Sequence, residues 1–388
     1  DLAMVMDVSD TMNDPSPSAP SGDKKLDMMK QAMDMITEFL NSHGQSNDRM
    51  GLVWFTDDVS VFKNVLNQEL MSIPAYSSEL RAQIQAHTTG VCTAMGAGLQ
   101  KGFDILAGGT QGDFAVLCTD GMQNVQPMVA KVGSHYEIVD TPGMYECGGH
   151  ASVPSHPGLD IASYNTRVHT IGVGITANYA ALLQEIANAT GGFYKGTDDP
   201  ENDLDLIYFT DLCHCMAGAS PSVILHRVGA FAHDACLAHE QFQIDRTVRK
   251  ITVLLSWPHA SKSGLFFWLH APDGSFVDCH EEMRLFETYA LATLYLPKEQ
   301  DDVAQPFVGT WTMNIRGEAG EAGTAYHAMV IAEDRDLHFR LDIPRKLYEV
   351  GDLVPLRCQL LSAEDPPTVR NVIDRKSTRL NSSHGIIW

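Results

Sequence analysis

The chain has 388 residues, a length that predicts two or three domains of ordinary size. It carries 27 basic and 49 acidic side chains, and the resulting formal charge of −22 argues against binding to nucleic acid or to anionic lipid. Its composition, 44% hydrophobic and 20% charged, is typical of a globular chain, and no apolar run approaches the ~20 residues of a membrane-spanning helix.

Strand-like and helix-like segments alternate over residues 1–218. Leu2–Met6 is a continuous apolar run, typical of a strand buried on both faces, and apolar residues from Leu26 to Leu40 recur at spacings of three and four, as on one face of a helix. Further strands are predicted at 50–55, 59–62, 114–118 and 168–173, and further helices at 93–106, 179–190 and 204–216. This alternation predicts an α/β doubly wound, mainly parallel sheet, with an irregular insertion at residues 134–166.

Strands without intervening helices follow from residue 219. They predict an antiparallel β-sandwich over residues 219–336, and residues 337–373 look like the start of a further β module, similar to immunoglobulin or fibronectin domains, that is cut short. Because the two main regions differ in periodicity, we expect each to have its own core.

The two ends of the chain predict a fragment of a longer protein. Asp1 stands directly before an apolar strand, where a natural start would rarely fall. Residues 374–388 resemble the translation of a sequencing-library adapter, and we expect them to be an artefact that contributes nothing to the core.

Oxygen-bearing side chains follow three predicted strands or open the next helix. Asp7, Ser9 and Thr11 come after the first strand, Thr93 opens a helix, and Asp120 follows the strand that ends at Cys118. Loops at the carboxyl ends of parallel strands converge in one crevice. Two carboxylates and three hydroxyls, without His or Cys, suit a hard cation such as Mg²⁺, with waters or a partner's group completing its coordination.

These three pieces resemble the von Willebrand factor type A family and its metal-ion-dependent adhesion site. The family pattern is Asp-x-Ser-x-Ser, then Thr, then Asp, and this chain departs from it by placing Thr11 at the last Ser. The resemblance covers about residues 1–218 and implies Asp7, Ser9, Thr11, Thr93 and Asp120 as ligands of Mg²⁺, with Mn²⁺ or Ca²⁺ as alternatives. It also implies a non-enzymatic adhesion module that binds an Asp or Glu carboxylate of a protein ligand, in an extracellular or cell-surface protein, although the sequence leaves a cytoplasmic location open.

The second region is similar to the β-sandwich of the calcium-activated chloride channel regulator family and related bacterial proteins. The similarity rests on residues 242–253, on Pro272-Asp-Gly274 and on Gly309-Thr-Trp311. Some members carry a zinc protease domain upstream, so one alternative is an accessory part of a larger secreted enzyme such as a metalloprotease. Another alternative is a structural surface protein whose metal site is degenerate.

Motifs for other chemistry are missing from the sequence. It contains no His-Glu-x-x-His, no Gly-x-Ser-x-Gly elbow and no Walker loop, so no catalytic residue is assigned. The eight cysteines are scattered without a Cys-x-x-Cys pair, and they leave the redox compartment undecided.

Overall fold

A computed structural model of the chain describes the following residues: 1–15, 24–43, 47–107, 113–121, 123–140, 147, 151, 158–174, 177–197, 222–231, 237–245, 248–257, 264–277, 279, 283–286, 289–296, 307–317, 325–334, 337–342 and 357–362.

The first region alternates strands with helices, as the sequence predicts. Its elements in chain order are β1 (Leu2–Asp7), a 3-10 helix (Asp10–Asn13), α1 (Lys25–His43), β2 (Arg49–Phe55), β3 (Val59–Val61), β4 (Met71–Ser72), α2 (Ile73–Ala86), α3 (Met95–Leu106), β5 (Phe114–Thr119), β6 (Met128–Val132), β7 (His135–Val139), β8 (Leu159–Asp160), a second 3-10 helix (Ile161–Tyr164), β9 (Arg167–Val173), α4 (Ala177–Thr190) and β10 (Tyr194–Thr197).

The main sheet has the strand order β10-β9-β5-β1-β2-β3, with β4 also paired to β2. β10, β9, β5, β1 and β2 run parallel, whereas β3 and β4 pair with β2 in antiparallel fashion. Every residue of β1 and β5 is buried, because helices cover both faces of a parallel sheet. The carboxyl ends of β1, β2 and β5 therefore lie side by side at one edge.

Two segments of this region differ from the sequence prediction. The helix α2 was not predicted, although Pro74 near its start and the buried Ile73, Leu80 and Ile84 on one face are typical of a helix. The insertion at 134–166 was expected to be irregular, but β6, β7 and β8 form a small antiparallel sheet there. The turn between β6 and β7 contains Gly133 at φ +63°. The predicted start of the insertion at residue 134 therefore falls inside this hairpin.

The second region is all strand in the part that the structure describes. Its elements are β11 (Ser222–Ala230), β12 (Leu237–Ile244), β13 (Val248–Ser256), β14 (Phe266–His270), β15 (Phe276–Val277), β16 (Met283–Leu285), β17 (Tyr289–Tyr295), β18 (Gly309–Arg316), β19 (Ala325–Asp334), β20 (Leu337–Asp342) and β21 (Arg357–Ser362).

Two antiparallel sheets make up the sandwich. One has the order β11-β19-β13-β17-β16 and the other the order β12-β18-β14-β15. Between them lies a core that contains the fully buried Trp257 and Trp311. β20 and β21 pair separately as a two-stranded sheet at the start of the third predicted module. The predicted fold class, a mainly parallel α/β sheet followed by antiparallel sheets, is confirmed.

The two regions do not keep separate cores. The sandwich has one of its own, but the outer face of its larger sheet also joins the core around α1, through Leu254, Tyr289, Leu291, Met329 and Ile331. α1 is consequently buried along almost its whole surface rather than along a single stripe. In β13, the run from Lys250 to Ser256 is buried on both faces. This strand therefore packs against the sandwich core on one face and against the core around α1 on the other.

Some predicted features fall outside the described residues. These are the helix at 204–216 and the tail at 374–388. Among the helices that the structure describes, none combines the length and the apolar character needed to cross a membrane.

Candidate functional site

The three predicted pieces lie on loops that hydrogen-bond to one another at the carboxyl edge of the main sheet. The Gly90 amide donates to the Val8 carbonyl at 2.7 Å, and the Ala94 amide donates to the Thr56 carbonyl at 2.6 Å. A Cβ at Gly90 would stand 2.6 Å from the Cβ of Thr56, so the close approach of these loops requires glycine there. The loops after β1 and β2 and the start of α3 thus form one connected edge.

Asp7 is the last residue of β1 and is fully buried. Its Oδ1 accepts the backbone amide of Ser9 at 2.8 Å, and its Oδ2 accepts the Thr119 hydroxyl at 2.5 Å. The Thr119 hydroxyl in turn accepts the Gly121 amide at 3.0 Å. These bonds fix the orientation of the Asp7 carboxylate and tie it to the loop that carries Asp120.

Ser9 and Thr11 present their hydroxyls together. The two oxygens lie 3.2 Å apart. Ser9 is buried, whereas Thr11 is exposed on the 3-10 helix that follows β1. The pair therefore extends from the buried carboxylate to the protein surface, so the site is accessible from solvent.

Thr93 is buried just before α3 and is held by Asn124. The Asn124 side-chain oxygen accepts a hydrogen bond from the Thr93 backbone amide at 2.7 Å, and the Asn124 backbone amide donates to the Thr93 carbonyl at 3.1 Å. Asn124 follows Asp120 by four residues, and this contact links the Thr93 loop to the Asp120 loop. Asn124 could not be predicted from the sequence, because an isolated Asn in a loop carries no pattern.

Asp120 pairs with a lysine that no sequence pattern singles out. The Nζ of Lys25, the first residue of α1, lies 3.2 Å from Oδ2 of Asp120, and the two side chains are only 10% and 6% exposed. The other carboxylate oxygen, Oδ1, is buried and has no hydrogen-bond partner among the residues that the structure describes. A buried carboxylate oxygen without a partner is costly unless a ligand satisfies it.

The pKa of Asp7 also favours a cation at this site. Burial, and secondly the charge of Asp120, raise the pKa of Asp7 to about 7, even though hydrogen bonds from Thr119 and Ser9 favour its charged form. The two carboxylates are thus close enough to repel each other in a site largely shielded from water. A cation between them would relieve this repulsion.

These side chains fit a hard divalent cation. Every donor is an oxygen, as Mg²⁺ prefers, and Oδ1 of Asp120 is free to serve as a ligand. Within the described ranges, no group of three or more His, Cys, Asp or Glu side chains is placed to hold a metal ion. A cation at this edge would therefore depend on the Ser and Thr hydroxyls as well as on the two carboxylates.

A disulfide joins the site to the insertion. Cys92, directly before Thr93, is bonded to Cys147 with their Cα atoms 6.2 Å apart. The sequence analysis did not predict this bond, because the two cysteines are separated by 55 residues and share no motif. Of the other cysteines that the structure describes, Cys118 is a buried free thiol, and the buried Cys279 donates its thiol to the Val277 carbonyl at 3.5 Å.

Comparison with known proteins agrees with this fold. Residues 2–123 match the profile of the von Willebrand factor type A domain, so the chain contains a domain of this type. The matched segment includes all five predicted ligands. No curated protein sequence matches the chain.

Several solved structures are similar at low identity. A von Willebrand factor type A protein from Catenulispora acidiphila is 15% identical, with a TM-score of 0.36, and the match covers 94% of this chain and 62% of that one. The pilus adhesin SpaC from Lactobacillus rhamnosus GG is 10% identical, with a TM-score of 0.40, covering 93% and 48%. The von Willebrand factor domain of the type V pili tip protein Mfa5 from Porphyromonas gingivalis is 14% identical, with a TM-score of 0.38, covering 56% and 96%. The chain thus spans less than two thirds of the first two proteins.

Proposed function

We propose that the von Willebrand factor type A domain of this chain binds a divalent cation, Mg²⁺ by preference, and through it an acidic side chain of a partner protein. The observation that carries the proposal is the pair of buried carboxylates, Asp7 and Asp120, in which Oδ1 of Asp120 has no partner within the described part of the chain. Mn²⁺ and Ca²⁺ are alternatives, because they also take oxygen ligands.

The roles of the side chains follow from their charges and their hydrogen bonds. Asp7 and Asp120 supply negative charge, and the neutral hydroxyls of Ser9, Thr11 and Thr93 supply further oxygens. Thr119 and the Ser9 amide hold Asp7 in one orientation, so little freedom is lost when a ligand binds. A bound cation supplies the positive charge that attracts a partner's carboxylate.

The surroundings favour recognition at short range. The net charge of −22 opposes the approach of an acidic partner from a distance, and the exposed Asp10, Asp57 and Asp58 add to this repulsion near the site. Attraction to the cation is strong only in the crevice, where water is partly excluded. We therefore propose slow association and a dependence on direct contact.

The disulfide supports a location outside the cytoplasm. Bonds such as Cys92–Cys147 persist in oxidising compartments and are rare in the reducing cytosol. We propose that the domain works in a secreted or cell-surface protein, as a binding module rather than an enzyme. The sandwich would serve as its spacer and support.

Calorimetric titration of the chain with Mg²⁺ and with Mn²⁺ tests the proposal. We expect both ions to bind with one-to-one stoichiometry, and we expect Asp7→Asn to weaken binding about 100-fold or more, because one of two charged ligands is lost. Thr93→Val should weaken binding by less. Asp57→Asn, which removes the same charge from an exposed position after β2, is the matched control and should bind normally.

Stability measurements separate loss of binding from loss of folding. The Asp7→Asn variant should melt at pH 8 without cation no lower than the wild type, because the variant no longer buries a charge. If neither ion binds to the folded wild-type chain, the proposal is wrong and the site serves only as scaffold.

A further inference from the structure

Lys25 places a positive charge inside the candidate cation site. Its Nζ lies 3.2 Å from Oδ2 of Asp120, and its side chain is 10% exposed. Its neighbour Lys24 is exposed, so burial at this point of the chain is particular to Lys25. The five ligands suggested by the sequence do not include this residue.

The environment of Lys25 shows why it stays there. An ammonium group removed from water is costly unless a negative charge is close, and Asp120 is the carboxylate that it contacts. Lys25 is also the first residue of α1, and the rest of that helix is packed on both sides. The backbone that carries the amine is therefore fixed by the packing of the helix.

One positive charge does not neutralise two carboxylates. Asp7 and Asp120 together carry two negative charges when ionised, so the site with Lys25 has a net charge of about −1 by simple counting. In the described ranges, the pairing also leaves Oδ1 of Asp120 without a hydrogen-bond partner. Lys25 thus satisfies half of Asp120 and leaves the other half for a ligand.

We propose that Lys25 is a tethered cation that competes with the divalent ion for Asp120 and thereby weakens metal binding. The inference rests on the proposed function of the site. By the same count, a dication bound beside Lys25 leaves about +1 at the site, whereas without Lys25 it leaves about zero. Lys25 therefore lowers the affinity of the site for the metal ion when no acidic ligand is present. An acidic group of a partner neutralises the remaining positive charge, so binding of the metal and binding of the partner favour each other.

Titration of the full chain with Mn²⁺ and with Mg²⁺ tests the role of Lys25. We expect Lys25→Met to bind either ion about tenfold more tightly than the wild type, because a like charge beside the cation has been removed. Lys24→Met removes the same formal charge one residue away and should bind as the wild type does. Lys25→Arg, which keeps the charge, should also resemble the wild type.

A second variant and a second measurement guard against misfolding. Lys25→Gln keeps a hydrogen-bond donor for Asp120 while losing the charge, and it should show the same gain in affinity if Lys25→Met does not fold. At equal Mg²⁺ concentration, the rise in melting temperature on adding the ion should be larger in either variant than in the wild type.

The outcomes distinguish this inference from the proposed function. If the wild type and both uncharged variants bind the ions equally, the competition is wrong and the metal site stands. An equal gain in Lys24→Met would also overturn the inference, because the effect would then be one of general charge. If the wild type binds neither ion, the proposed function is wrong, and the inference that rests on it is wrong as well.

Discussion

His169 shows how burial changes the pKa of a single side chain in this fold. It lies on β9 at 3% exposure, between the rings of Phe114 and Phe193, and its Nδ1 accepts the Phe193 amide at 3.3 Å. Burial, and secondly the charge of Arg167, lower the pKa of His169 to about 4. The ring is therefore neutral when folded at neutral pH.

This shift predicts a loss of stability in mild acid. Between about pH 6.5 and pH 4 the unfolded chain binds a proton at this histidine and the folded chain does not, so the free energy of unfolding falls as the pH is lowered, by on the order of 3 kcal/mol. Denaturation at a series of pH values measures the effect. His169→Asn, which keeps an acceptor for Phe193, should flatten the curve; parallel curves for the two chains would contradict the assignment.

The site residues divide into those with a sequence signal and those without one. Asp7, Ser9 and Thr11 follow a buried strand at fixed spacing, so their position at the sheet edge could be predicted from the pattern. Lys25 and Asn124 could not, because each acts through one contact with a distant part of the chain. A contact of this kind depends on how loops cross in space, which local periodicity does not encode.

At the scale of elements, α1 is unusual in burying acidic side chains. Arg81 of α2 binds both carboxylate oxygens of Asp34 at 2.8 Å and one oxygen of Glu38 at 3.1 Å. From the sandwich, the Tyr289 hydroxyl donates to Asp34 at 2.8 Å, and Arg284 pairs with Glu38. The sequence predicts a single apolar stripe on this helix, and the acids would then face solvent. They are buried because a second sheet packs against the helix.

The Tyr289 bond predicts a measurable contribution to stability. Burial, together with the charge of Asp34, raises the pKa of Tyr289, so the hydroxyl keeps its proton and donates. Tyr289→Phe should lower the free energy of unfolding by about 2 kcal/mol, the usual worth of a hydrogen bond to a charged group. Tyr295→Phe, at a position 74% exposed on the same strand, is the control and should have no effect. Equal stabilities for all three chains would show that Asp34 does not need the bond.

At the scale of the whole molecule, the shared core couples the two regions. Residues of α1 and the outer face of the β13, β17 and β19 strands belong to one apolar cluster. The different periodicities of the two regions predict separate cores, and the sandwich does have a core of its own. The periodicities do not reveal that one sheet of the sandwich has two apolar faces. The fold class could thus be predicted from the sequence, whereas the packing of one region against the other could not.

This coupling predicts a single unfolding transition. Far-ultraviolet circular dichroism follows the helices, and all four described α-helices lie in the first region. In a Trp54→Phe background, which removes the tryptophan of β2, fluorescence reports mainly on the sandwich through Trp257, Trp268 and Trp311. We expect the two signals to change together on heating, because each region loses the buried surface of the shared core when the other unfolds.

A charge placed in the interface should separate the two signals. Leu291→Glu puts a carboxylate into the shared core, whereas Leu285→Glu lies at an exposed position on the adjacent strand and should leave one transition. Two transitions in the wild type would show that the regions unfold independently.

The double packing of α1 also limits how this protein can vary through evolution. A helix with one buried face can change its outer residues freely. Here, however, Asp34 accepts hydrogen bonds from Arg81 on one side and from Tyr289 on the other. Replacing Asp34 alone would remove two hydrogen bonds from the partly buried Arg81 guanidinium and leave the buried Tyr289 hydroxyl without its acceptor, so we expect a lineage that loses this acid to change both neighbours with it. Related chains that keep the sandwich should therefore vary at these three positions together, and chains that lack it should be free of the constraint at Asp34.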